Sequence, residues 1–178
     1  MEQNAKVTRV VVMGVAGCGK STLAHAIAEH FGWVMIEGDE FHSSLSQGKM
    51  RAGLALNDQD RHAWLHTLAS KLNDAPTSTV LACSALKRAY RDVLRAARHD
   101  SQRVGPDGVL FVYMVLTEAQ SYRRVDQRPT HRFPASLVHS QFETLESPEG
   151  ESGVLTVDGM AGTQSQLRSV EQWLSAAP

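Results

Sequence analysis

A chain of 178 residues with 42% hydrophobic side chains has the size of one compact domain, large enough to bury a core without disulfide or metal staples. Its 18 Lys and Arg against 19 Asp and Glu leave a formal charge of −1, which excludes an overall basic field for nucleic acid or an anionic membrane. Cys18 and Cys83 have no metal-ligand spacing and suit a reducing compartment. The polar opening MEQNAKVTR leads into an apolar run too short for a signal-peptide core or a membrane span, so a soluble, cytoplasmic protein is expected.

Residues 10–13 (VVVM) read as a strand covered on both faces, and it breaks into the glycine-rich segment GVAGCGKS. From Ser21, Leu23, Ile27, Ala28 and Phe31 fall at helical spacing, with Gly32 as the stop. A second strand (33–36) ends in Glu37-Gly38-Asp39. An irregular stretch containing Lys49, Met50 and Arg51 follows, then a helix from Asn57 or Asp58 whose buried stripe is Trp64, Leu65, Leu68 and Leu72. Residues 79–83 (TVLAC) read as a third strand. The next helix carries Tyr90, Val93, Leu94 and Ala97 inward and Lys87, Arg88, Arg91 and Arg95 on its wetter side. A fourth strand spans 109–116, and Thr117 with Gln120 forms a capping box for a helix running to about Arg128, before Pro129. A helix at 135–145, a fifth strand at 154–157 and a closing helix bearing Leu167, Val170 and Leu174 complete the chain. Strands alternating with helices predict an α/β fold with a parallel sheet covered on both faces.

Gly14-Val15-Ala16-Gly17-Cys18-Gly19-Lys20-Ser21 fits G-x-x-x-x-G-K-[ST], between a predicted strand and a predicted helix. Glycines let successive N–H groups wrap a phosphate, and the helix N-terminus adds partial positive charge. Gly14 to Ser21 are therefore expected to bind the phosphates of a nucleoside triphosphate, with Lys20 reaching the β- and γ-phosphates and Ser21 entering the shell of Mg²⁺. Neither D-x-x-G nor N-K-x-D occurs, which argues against a GTPase switch. The third strand ends in Ala82-Cys83-Ser84 instead of Asp, so the carboxylates must come from Glu37 and Asp39. Asp39 is expected to take or orient the acceptor's hydroxyl proton, and Glu37 to hold the metal through water.

Several segments together resemble the gluconate kinase family of P-loop sugar-acid kinases: MGVAGCGKST (13–22), EGDEFH (37–42), KMRAGLALNDQDRHAWL (49–65), ACSALKRAYRDVLR (82–95), RVDQRPTHRF (124–133) and SQFETLESP (140–148). The resemblance implies a P-loop kinase fold related to nucleoside monophosphate kinases and shikimate kinase. It is expected to form one domain over 1–178, with a five-stranded parallel sheet, a lid at about 124–134 and a homodimer. It implies that Gly14 to Thr22 hold ATP and that gluconate or a related sugar acid is the partner, with Asp39 and His42 facing it and Lys49, Arg61, Ser84, Lys87 and Arg88 in the acceptor pocket. Arg124 and Arg128 resemble lid residues closing on the phosphates. An acceptor with a carboxylate favours such Arg and Lys side chains.

The chain departs from the family pattern at Ser43 and Ser46, at Ala55-Leu56, at Ala63, and at Arg132 in the lid. Lost prolines are expected to loosen the acceptor-side loop without deleting a charge. Two other readings remain open on the sequence: a kinase of the same fold acting on shikimate or a different sugar acid, and an ATP-binding regulatory module without turnover. Cys18 reads as a small filler, and Trp33, Trp64 and Trp173 as core or interface packing.

Overall fold

A computed structural model describes residues 7–96, 104–127 and 134–176. Five strands, β1 (Val7–Met13), β2 (Val34–Glu37), β3 (Thr79–Ala82), β4 (Val104–Val115) and β5 (Val154–Asp158), form one parallel sheet in the order β2-β3-β1-β4-β5. The helices are α1 (Lys20–Phe31), α2 (Ser44–Arg51), α3 (Asp58–Asp74), α4 (Arg88–Arg95), α5 (Glu118–Asp126), α6 (Val138–Thr144) and α7 (Thr163–Ala176).

The apolar run of β1 is central in the sheet and fully buried. Alternate side chains point to opposite faces of a strand. Val10 and Val12 accordingly join Leu23, Ile27, Leu167 and Val170 beneath α1 and α7, whereas Val11 and Met13 join Leu65, Leu68, Leu72 and Leu94 beneath α3 and α4. Both faces are thus covered, as the continuous apolar strands predict. The chain reverses strand order around β1, whose neighbours are β3 and β4, and this opens a crevice beyond the carboxyl ends of the strands. The glycine loop, Glu37 and Ser84 all leave the sheet on that side.

Local signals set the ends of several elements. Gly32 closes α1 in the left-handed region at φ 68°. Asn57 starts α3 with a capping box in which its side chain accepts from the Asp60 N–H and the Asp60 carboxylate accepts from the Asn57 N–H. Thr117 and Gln120 form the second box, at the start of α5.

Four expectations are corrected. The stretch around Lys49, Met50 and Arg51 is not irregular but helix α2, because Ser43 accepts from the Ser46 N–H at 3.1 Å and donates its hydroxyl to Ser46 Oγ at 3.0 Å. The serines that depart from the family pattern therefore cap a helix. Arg91 is not on a wet face; it is 0% exposed. The helix after Pro134 begins as a 3-10 turn, Ala135–Leu137, and becomes α-helical only at Val138. β4 begins at Val104, earlier than the predicted 109. Most of the expected lid, residues 128–133 with Arg128 and Arg132, lies outside the described residues. Among the described residues, no helix is long and apolar enough to cross a membrane.

Candidate active site

The glycine loop is held from several sides. Gly14 has φ 143°, and a Cβ there would lie 2.8 Å from the Met114 carbonyl oxygen, so the strand-to-loop exit requires glycine. Val15 and Cys18 pack inward, whereas Ala16, Gly17, Gly19, Lys20, Ser21 and Thr22 line a cavity. Lys20 Nζ donates to the Val15 carbonyl at 3.1 Å. From α5, Ser121 Oγ donates to the Ala16 carbonyl at 2.7 Å and Arg124 Nη1 to the Gly17 carbonyl at 3.2 Å.

Across the cavity from the loop, a 3-10 turn (Gly38–Phe41) carries Asp39. The turn sits hard against β3: a Cβ at Gly38 would approach the Ala82 carbonyl oxygen to 2.5 Å. Trp64 Nε1 donates to the Gly38 carbonyl at 2.7 Å, fixing the turn from α3. The Asp39 side chain is 70% exposed, open to the cavity. Glu37 is half-buried beside Ser21. Burial pushes its carboxyl up, against the hydrogen bond from Ser21 and the charge of Lys20, while the charge of Asp39 adds to the rise.

His42 is buried and stacks on Trp64, with ring centroids 4.1 Å apart and 18° between planes. Its Nε2 lies 3.9 Å from Asp39 Oδ1, and its buried Nδ1 has no hydrogen-bond partner among the described residues. Burial lowers the imidazole pKa, outweighing the opposing charge of Asp39, and Arg61 lowers it further. The ring is therefore neutral at pH 7.

The expected acceptor residues divide. Asp39, His42, Arg61 and Ser84 line the cavity with the loop. Lys49, Lys87 and Arg88 are outside its lining. Lys49 Nζ donates to both oxygens of Asp60 at 2.7 and 2.9 Å, and Lys87 Nζ to both oxygens of Asp58 at 2.8 and 3.0 Å. These lysines, followed by other hydrogen bonds, hold both aspartates below the usual carboxylate range. Arg88 faces a different depression together with Arg91, Arg95 and Glu151. Arg61 donates to the Leu56 carbonyl and, at 3.5 Å, to the Tyr90 hydroxyl, with no carboxylate partner among the described residues.

Ser84 is positioned by an unusual turn. Its carbonyl accepts from the Gly14 N–H at 3.3 Å, and the next residue, buried Ala85, has φ 44°. That left-handed conformation in a non-glycine residue is strained. Arg91 Nη1 holds it by donating to the carbonyls of Ala85 and Leu86 at 3.0 and 3.1 Å, while its other nitrogens grip Glu151 bidentately at 2.6 and 3.1 Å. The sequence reading also passed over Gln141, whose Oε1 accepts from the Ala16 N–H at 2.6 Å, and over Trp64 as a cavity wall. Gln141 lies in SQFETLESP, but a polar residue on a short helix carries no signal of its own.

A parallel sheet of this order, with a GxxxxGKS loop at its central strand and a carboxylate facing that loop across a cavity, defines a P-loop kinase. A family model described as an AAA domain matches residues 10–148. A gluconokinase of Gluconobacter oxydans is 39% identical over 154 residues, covering 84% of this chain and 82% of its own length. A probable gluconokinase of Schizosaccharomyces pombe is 38% identical over 153 residues, covering 83% and 77%. The crystal structure of a gluconokinase from Sinorhizobium meliloti superposes with TM-score 0.83 at 38% identity, covering 94% of this chain and 91% of the other. The chain belongs to the gluconokinase family.

Proposed function

We propose that the protein transfers the γ-phosphoryl group of ATP to the 6-hydroxyl of D-gluconate, giving ADP and 6-phospho-D-gluconate. The observation that carries this reading is a single cavity in which Lys20 and Ser21 face Asp39 and Arg61. Such a cavity offers both a phosphate cradle and a site for an alcohol bearing a carboxylate. The gluconokinase names of its relatives support the substrate.

In this reading the loop amides and Lys20 hold the phosphates. The carboxylate of Asp39 accepts the proton as the 6-oxygen forms its bond to the γ-phosphorus. The bond from phosphorus to the β–γ bridging oxygen breaks, and ADP leaves with that electron pair. Arg61 pairs with the gluconate carboxylate, His42 and Ser84 face the sugar hydroxyls, and Arg124 with Arg128 closes over the phosphates. Lid closure excludes the water that competes as acceptor. Among the described residues no group of three or more His, Cys, Asp or Glu converges. Ser21 beside Glu37 is instead a small set of hard oxygen donors, which fits Mg²⁺ shared with substrate phosphates. When bound there, Mg²⁺ supplies charge neutralisation at the phosphates. A cytoplasmic homodimer is part of the same proposal.

The test is ADP release measured with gluconate, shikimate and other sugar acids, for the parent protein and Asp39→Asn. Gluconate should be the preferred acceptor, and Asp39→Asn should lower kcat by roughly 10² or more, in the range of general-base contributions, with ATP affinity held within about threefold. Preference for shikimate, or unchanged turnover in Asp39→Asn, overturns the reading.

A further inference from the structure

The phosphate loop has a side-chain partner that its motif does not contain. Gln141 reaches from α6 into the cavity, and its Oε1 takes the Ala16 N–H at 2.6 Å. An amide N–H can only donate, so the carboxamide must present its oxygen to the loop. Its NH₂ group is then turned away from that amide, and no protein group among the described residues accepts from it. The same cavity is lined by Gly19, Lys20 and Asp39, the residues between which a phosphoryl group would pass.

We propose that Gln141 is a catalytic residue whose Nε2 donates to an oxygen of the transferring phosphoryl group, an inference that rests on the kinase reading above. Charge in that transition state spreads over three equatorial oxygens, and donors already in place there act without reorganisation. Gln141 meets the condition of being fixed in place. Its anchor, Ala16, is itself held through its carbonyl by fully buried Ser121. Just beyond α6, the Glu146 N–H donates to the Leu86 carbonyl at 2.9 Å, and Glu146 Oε2 accepts from the Arg88 N–H at 2.7 Å. The helix is thereby tied to the turn that carries Ser84. A neutral amide also stabilises the transferring group without forming an ion pair with Asp39, as an added cation would.

Gln141→Glu and Gln141→Met separate this role from simple support of the loop. The glutamate keeps an acceptor for the Ala16 N–H but has no donor, whereas the methionine lacks both. Both variants should lose about 10²-fold in kcat, the loss typical of removing one such donor. In Gln141→Met, ADP affinity should stay within about threefold while affinity for ADP with fluoroaluminate, a mimic of the transferring phosphoryl, falls at least about thirtyfold. Turnover of Gln141→Glu within about threefold of the parent, or equal losses of ADP and fluoroaluminate complexes in Gln141→Met, would show a supporting role only and overturn the proposal. Fluoroaluminate binding needs no acceptor. A parent protein inert toward gluconate therefore counts against the substrate, while this comparison still decides the role of Gln141.

Discussion

Glu151 offers a quantitative test of how the strained turn beneath Ser84 is held. It receives both arms of fully buried Arg91 and a further bond from Arg95, and its own side chain is only 12% exposed. The Arg91 hydrogen bonds, then those of Arg95, overcome burial and bring its carboxyl from 4.5 down to about 2. At about 1.4 kcal/mol per pH unit, that depression corresponds to ~3 kcal/mol of folding stability. The sign follows from the direction: the contribution is complete above the unfolded value of 4.5 and is lost as pH falls from there toward about 2. Glu151→Gln should therefore cost ~3 kcal/mol at pH 7, in line with breaking a buried ion pair. The gap between parent and variant should shrink by ~2 kcal/mol at pH 3, where most of the parent's advantage has gone. Urea unfolding of both proteins at the two pH values reads this directly. A variant within ~1 kcal/mol of the parent at pH 7, or a gap that acid does not narrow, refutes the claim that this carboxylate secures Arg91.

Arg61→Ala removes an acceptor-side cation that lines the cavity and has no carboxylate partner among the described residues; charge-assisted bonds of about 1.5–3 kcal/mol predict a rise of roughly 10- to 100-fold in KM for gluconate, with KM for ATP unchanged in steady-state kinetics. Ser43→Ala removes the cap of α2 at about 1 kcal/mol, so hydrogen exchange of the α2 amides should quicken about fivefold while α3 amides stay as they were.

The sheet and its principal helices were legible because their signals are local: unbroken apolar runs for β1 and β3, Gly32 at the end of α1, and the capping boxes at Asn57 and Thr117. Helix α2 escaped because SLSQGKMR has no apolar stripe, and its start depends on one hydroxyl of Ser43 finding one N–H. Arg91 escaped for a different reason. Its spacing with Arg88 and Arg95 describes a wet helical stripe, and only Glu151, distant in sequence, makes an interior position tolerable. The phosphate loop could be read as a motif between β1 and α1, since its composition is its mechanism, but not which of its residues turn inward, Val15 and Cys18, nor that Gln141 takes the Ala16 N–H. The acceptor side could be read only in part, because motif membership does not reveal which cations face a ligand and which face another side chain.

That division follows from the first turn of α3. A helix N-terminus favours carboxylates, and the Asn57 capping box fixes the backbone from which Asp58 and Asp60 project. Asp60 binds Lys49 from α2, and Asp58 binds Lys87 from the start of α4 together with the Tyr90 hydroxyl. Two cations are thereby turned into struts that join three helices around the cavity. Arg61, one helical turn beyond Asp58, donates instead to a carbonyl and to the Tyr90 hydroxyl and has no carboxylate partner among the described residues. The acceptor side thus presents the Arg61 guanidinium to the cavity. Under the proposed function, a sugar acid would bring its carboxylate to that guanidinium and leave its hydroxyls for His42 and Ser84.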